Sequence, residues 1–78
     1  MGVEERIRDI IVGQLHPDEE RITRQARFVD DLGAEPQDMI TIISQFEKEF
    51  GIAMLTEEVR KMETVGQAIE YIESHAQR

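Results

Sequence analysis

The spacing of apolar residues constrains this chain more than any other feature. In three stretches they recur every three or four positions, which is the period of one helix face. Val3, Ile7, Ile10, Ile11 and Leu15 form the first stripe, with Glu4, Glu5, Arg6, Arg8 and Asp9 on the other side. Met39, Ile42, Ile43, Phe46 and Phe50 form the second and most apolar stripe, with Ile40 as an additional apolar position. Val65, Ala68, Ile69, Ile72 and Ala76 form the third. No segment reads as a confident strand; residues 52–55 can be extended but are too few to pair alone.

The breaks between stripes carry helix-end chemistry. His16-Pro17 stops the first helix, predicted over residues 3–15, because a residue before proline avoids the helical region. Gly13 weakens its last turn. Pro36 suits the first position of the second helix, predicted over 36–50, where its missing N–H costs nothing. Glu35 and Asp38 place negative charge at the positive end of that helix, and Gly51 is expected to end it as a left-handed cap. Thr56 is expected to cap a short third helix at 57–61, and Thr64 the fourth, with Gln67 completing a capping box. Residues 16–35 form a long polar connection with a helical turn near 18–21. Ile22, Ala26, Phe28, Val29 and Leu32 are expected to tack it to the core. The fold class is therefore all-α, a four-helix bundle with a short third helix and a long first connection, and residues 1–78 make a single domain.

Composition narrows the function. The 78 residues include 9 Lys+Arg and 17 Asp+Glu, a net charge of −8. That balance argues against nucleic acid, whose phosphates need clustered cations, and against an anionic membrane surface. No apolar run is long enough for a membrane span. The charged start of the chain does not read as a secretory signal. With no cysteine, disulfides, a thiol nucleophile and thiolate-bound metal are excluded, and a cytoplasmic location is expected. At 40% hydrophobic content the chain can build a core.

Several segments together resemble the acyl carrier protein family. Phe28-Val29-Asp30-Asp31-Leu32-Gly33-Ala34 is similar to the family's loop into the second helix. Glu47-Lys48-Glu49-Phe50-Gly51-Ile52 is similar to the end of that helix, and Thr64-Val65-Gly66-Gln67-Ala68-Ile69-Glu70-Tyr71-Ile72 to the last helix. Val3-Glu4-Glu5-Arg6-Ile7 resembles the start, so the likeness runs ungapped over nearly the whole chain. The resemblance implies a carrier whose 4′-phosphopantetheine arm hangs from the serine of an Asp-Ser-Leu motif at the start of the second helix. The matching positions here are Glu35-Pro36-Gln37. Pro36 has no hydroxyl and cannot form the phosphodiester, so no cofactor is expected at this position. Thr41, Ser44 and Ser74 are poor substitutes: the first two fall inside the second helix and the third near the end of the chain.

The family docks its partners on the outer side of the second helix. The corresponding surface comprises Glu35, Gln37, Asp38, Ile40, Thr41, Ser44, Glu47 and Lys48. The family usually has leucine at the position of Gln37, acid at Thr41, a hydrophobe at Ser44 and acid at Lys48, so the recognition surface reads as rewritten. Residues 28–52 still hold six carboxylates against Lys48 alone, 1 − 6 = −5 of the total −8. A field of that sign steers a protein partner with a basic patch. Ile42, Ile43, Phe46, Phe50, Met54 and Ile69 are candidate linings of an acyl pocket, with a closed core the more ordinary meaning of such a stripe. Where the family commonly has an apolar residue followed by proline, this chain has Met54-Leu55.

Other chemistry has little support. Asp30, Asp31, Glu35 and Asp38 crowd one loop but do not have EF-hand spacing, so no metal is expected. His16 and His75 have no partners that would suggest a triad or a zinc site. An enzyme is not expected. The leading expectation is a monomeric interaction module on a carrier scaffold. The alternative is an acyl carrier protein in fatty-acid, lipid or polyketide synthesis, acting through a displaced attachment site or non-covalent acyl binding. A structural subunit of a larger complex is a third reading.

Overall fold

The computed structural model describes residues 2–75. Four helices follow in order: α1 (Val3–Leu15), α2 (Pro36–Phe50), α3 (Thr56–Lys61) and α4 (Val65–His75), with one 3-10 turn at Glu19–Arg21 in the first connection. α1 packs on α2 and α4. Each long helix contributes the predicted stripe: Ile7 and Ile11 from α1, Ile42 and Phe46 from α2, and Val65, Ala68, Ile69 and Ile72 from α4 are buried. Ala76 of the third stripe lies outside the described residues. The core contains no polar side chain among the described residues.

The helix ends follow their local chemistry with two departures. Gly51 takes the expected left-handed conformation (φ 66°), and its N–H donates to Glu47 O at 2.9 Å. At α4, Thr64 Oγ1 accepts the Gln67 N–H at 3.2 Å while Gln67 Oε1 accepts the Thr64 N–H at 3.1 Å, which closes the predicted capping box. The first departure is His16. It is neither helical nor extended but left-handed (φ 54°), and its N–H closes α1 on Val12 O at 2.9 Å. The second is α3, which starts at Thr56 itself. Extended Leu55 takes the cap position and its carbonyl accepts the Val59 N–H at 2.9 Å, so the predicted threonine cap is not made.

The first connection is long but anchored. Ile22, Ala26, Phe28, Leu32 and Ala34 are buried, whereas Val29, expected in the core, is 61% exposed. A turn over residues 27–34 explains this. The Asp31 and Leu32 N–H groups donate to Arg27 O, and the Ala34 N–H returns to Phe28 O at 2.8 Å. Phe28 and Leu32 then point in, and Val29 out. Residues 24–28 also run antiparallel to 63–66. The Phe28 N–H donates to Glu63 O at 3.0 Å, the Val65 N–H to Ala26 O at 2.9 Å and the Gly66 N–H to Arg24 O at 2.8 Å. Met62, 7% exposed, adds an anchor from the end of α3 that no sequence stripe announced.

Candidate functional site

The start of α2 is a well-made helix terminus. Glu35 is extended (φ −95°, ψ 166°), its N–H donates to Asp38 Oδ2 at 3.0 Å, and its carbonyl accepts the Met39 N–H at 3.0 Å. Pro36 occupies the first helical position, solvent-exposed. This is the place where a helix most readily accepts proline, and the ring presents only carbon to solvent.

Beyond Pro36 the eight surface residues separate into two groups. Gln37, Ile40, Thr41, Ser44 and Lys48 recur at helical spacing along one row. Ile40 is 69% exposed, Gln37, Ser44 and Lys48 are exposed, and Thr41 is half-buried with its Oγ1 donating to Gln37 O at 3.2 Å. Glu47, three residues after Ser44, is the carboxylate at its edge. The acids of the expected surface also make hydrogen bonds within the chain. Glu35 and Asp38 form a capping box, and Asp38 Oδ1 also accepts Gln14 Nε2 at 3.4 Å. Glu47 Oε2 accepts the Met54 N–H at 2.8 Å, tying the loop after α2 to its last turn.

The remaining carboxylates of residues 28–52 are engaged as well. Asp31 Oδ2 accepts the Arg27 N–H at 2.8 Å, Asp30 lies 3.6 Å from the Arg27 guanidinium, and Glu49 pairs with Arg6 at 2.7 Å. Asp31, Glu35 and Asp38 therefore act as turn and cap acceptors, and Asp30 faces a guanidinium. Among the described residues no three His, Asp or Glu side chains are placed to hold a metal ion. His16 is exposed, and His75 stacks edge-on against Tyr71 with ring centroids 4.0 Å apart.

Two grooves lie beside the α2 row. One, of about 260 Å³, runs between α2 and α3 and is lined by Met39, Ile40, Ile43, Ser44, Met54 and Val59 among others. The other, of about 300 Å³, is walled by Phe28, Val29, Met39, Val59, Arg60 and Met62 among others. Met39 and Val59 belong to both. Of the six candidate pocket residues, Ile43 and Met54 reach a groove, Ile42, Phe46 and Ile69 are sealed in the core, and Phe50 is half-buried. Sequence reasoning missed Val29, Leu55, Val59 and Arg60 as surface features. Leu55, 64% exposed, had one available signal, its place where proline is usual.

Comparison with known proteins agrees with this architecture. A family model described as the phosphopantetheine attachment site matches residues 5–72. A solved structure of a Mycobacterium tuberculosis protein assigned as an acyl carrier protein is 32% identical, with 88% of this chain and 92% of that chain covered and a TM-score of 0.82. The acyl carrier protein of Enterococcus faecalis, noted for high thermal stability, is also 32% identical, over 92% of this chain and 91% of that one, with a TM-score of 0.80. The family is one of carrier domains rather than catalysts, and its members work with protein partners. Among the described residues no helix is long and apolar enough to cross a membrane. A match over residues 5–72, with the helix order and helix ends described above, places this chain in the acyl carrier protein family.

Proposed function

We propose that this chain is an acyl-carrier-fold interaction module that does not carry 4′-phosphopantetheine at the start of α2. One observation carries the reading: Pro36 stands where the family's attachment serine is expected, at the exposed first position of the helix. The substitution preserves the helix start and removes the nucleophile, so the scaffold outlives the carrier chemistry. The binding surface is the outer side of α2 with the loop before it. It takes in Glu35 and Asp38 at the helix start, the row from Gln37 to Lys48, and Glu47 at its edge. The protein acts as a monomer in the cytoplasm, and its net charge of −8 draws in a partner that carries a basic patch.

The test is the intact mass of the purified protein before and after incubation with coenzyme A and a broad-specificity phosphopantetheinyl transferase. An unchanged mass is expected. A gain of one phosphopantetheine unit would overturn the reading in favour of an acyl carrier protein of lipid or polyketide synthesis with a displaced attachment site. Ser44, an exposed hydroxyl on α2, would be the first position to map. For Pro36→Ser, little or no modification is expected, because the recognition row has changed at Gln37, Thr41, Ser44 and Lys48 as well. Full modification of this variant would mean that proline alone blocks the arm.

A further inference from the structure

We infer that α3 is a strap clasped by two methionines, and that peroxide oxidation of their sulfurs releases it from the bundle. This inference does not rest on the reading of Pro36. Between Gly51 and Glu63 the buried residues are Met54 and Met62, 8% and 7% exposed, one on each side of α3. α3 buries none of its own residues, and Ile52, Glu58 and Val59 of the same stretch are half-buried. Hydrogen bonds fix the two ends of the strap independently. Glu47 Oε2 accepts the Met54 N–H at 2.8 Å, and Glu63 O accepts the Phe28 N–H at 3.0 Å. Between those ties the span is held to the core by the two thioether side chains, with half-buried Val59 between them. Buried sulfur is confined to this strap: the buried residues of α1, α2 and α4 contain none.

Both side chains border solvent. Met54 lines the groove of about 260 Å³ and Met62 the groove of about 300 Å³, which a molecule as small as hydrogen peroxide enters. The chain has no cysteine, so methionine is its oxidisable sulfur. In the step, a sulfur lone pair attacks one peroxide oxygen and the O–O bond breaks. The proton on the transferred oxygen passes to the departing hydroxide, giving water. Sulfur is oxidised by two electrons to the sulfoxide, and the peroxide is reduced. The sulfoxide is polar, and its oxygen is costly to bury without a donor. The core offers no polar side chain among the described residues. Expelling the two sulfoxides removes the strap's anchors, while α1, α2 and α4 keep their sulfur-free stripes and the tied ends keep the strap attached. Val59 walls both grooves, so the same release dismantles them.

Amide NMR spectra of the full chain before and after hydrogen peroxide test this, with peptide mapping to locate each added oxygen. Sulfoxides at Met54 and Met62 should move the Val59 and Arg60 amides of α3 to unfolded-chain positions, while the Ile7, Ile42 and Ile69 amides keep native ones. The two methionine sulfoxide reductases with a dithiol, which carry the oxygen off as water, should restore the original spectrum. The variant Met54→Leu, Met62→Leu, close in volume to the wild type, leaves Met1 and Met39 oxidisable and should keep α3 native under the same treatment. Four results would each overturn the inference. Met54 and Met62 could stay unoxidised where free methionine is oxidised, their sulfoxides could leave the α3 amides in place, all helices could unfold together, or the leucine variant could respond like the wild type. If that variant fails to fold, oxidation and its reversal in the wild-type chain still decide the matter. The mass measurement judges the reading of Pro36 separately.

Discussion

His16 ends α1 in a left-handed conformation (φ 54°, ψ 45°), and Gly51 ends α2 in nearly the same one (φ 66°, ψ 37°). The same backbone task is given to two residues of different suitability. Only glycine adopts this region without a Cβ penalty, and a non-glycine residue there costs on the order of 1 kcal/mol or more. The His16 N–H completes the last turn of α1 on Val12 O, and the left-handed conformation at His16 then turns the chain out of the helix toward Pro17. His16→Gly should therefore stabilise the protein by about 0.5–1 kcal/mol, less than the full penalty because glycine also loosens the unfolded chain. Gly51→Ala should destabilise it by about 1 kcal/mol. Urea midpoints at constant slope check both, and equal effects of one sign would refute the argument. The rule applied to His16-Pro17 correctly predicted that the helix stops there. It did not predict how, because proline restricts its neighbour without specifying which non-helical region the neighbour takes.

At the scale of elements, the three long helices were legible because each buries a stripe at helical period, and periodicity is a local signal. α3 was legible only in outline. Its six residues bury none of their own number, so its start depends on the segment before it, where Glu47 holds the Met54 N–H. That hydrogen bond joins residues seven apart through a side chain, and no periodicity encodes it. The spacing of Glu47 places it near the outer face, but its hydrogen bond to the Met54 N–H is set by the fold and is not encoded in that spacing. Glu47→Ala leaves a part-buried donor without its acceptor and should cost about 1–2 kcal/mol. Glu47→Gln should cost less, and hydrogen exchange at the Met54 amide should accelerate in the alanine variant before global unfolding. Unchanged exchange would show that the loop is held by other means. The pairing of residues 24–28 with 63–66 was equally hidden. It brings the Arg24 carbonyl so close that a Cβ on Gly66 would lie 2.9 Å from it. Backbone against backbone cannot yield as a flexible side chain can. Gly66→Ala should therefore destabilise the protein by about 1–3 kcal/mol despite the better helix propensity of alanine, as a thermal melt would register.

The whole molecule carries −8 within a radius of gyration of 11.2 Å. At about 0.01 M ionic strength the Debye length is about 30 Å, so every charge is felt across the molecule and the compact state is strained by its own repulsion. The expanded unfolded chain separates the same charges and suffers less. Besides the local Arg27–Asp30 pair, two ion pairs between separate segments work in the opposite sense, Arg6 to Glu49 at 2.7 Å across α1 and α2, and Arg24 to Glu4 at 3.0 Å from the connection to α1. Their side chains are 41–49% exposed, so each contributes at most a few tenths of a kcal/mol. Repulsion is the larger effect, and raising salt to about 0.5 M should stabilise the fold by roughly 1 kcal/mol. For a domain of this size that is a rise in Tm of about 4–8 °C. A scan at fixed protein concentration reads the sign directly, and a fall in Tm would mean that the ion pairs outweigh the net charge. The variant Arg6→Gln, Arg24→Gln separates the two terms. It removes both pairs and makes the net charge more negative, so its Tm should rise more steeply with salt than that of the wild type. If the slope is instead unchanged, the repulsion is not spread over the molecule but is confined to a few neighbouring acids that these arginines do not reach.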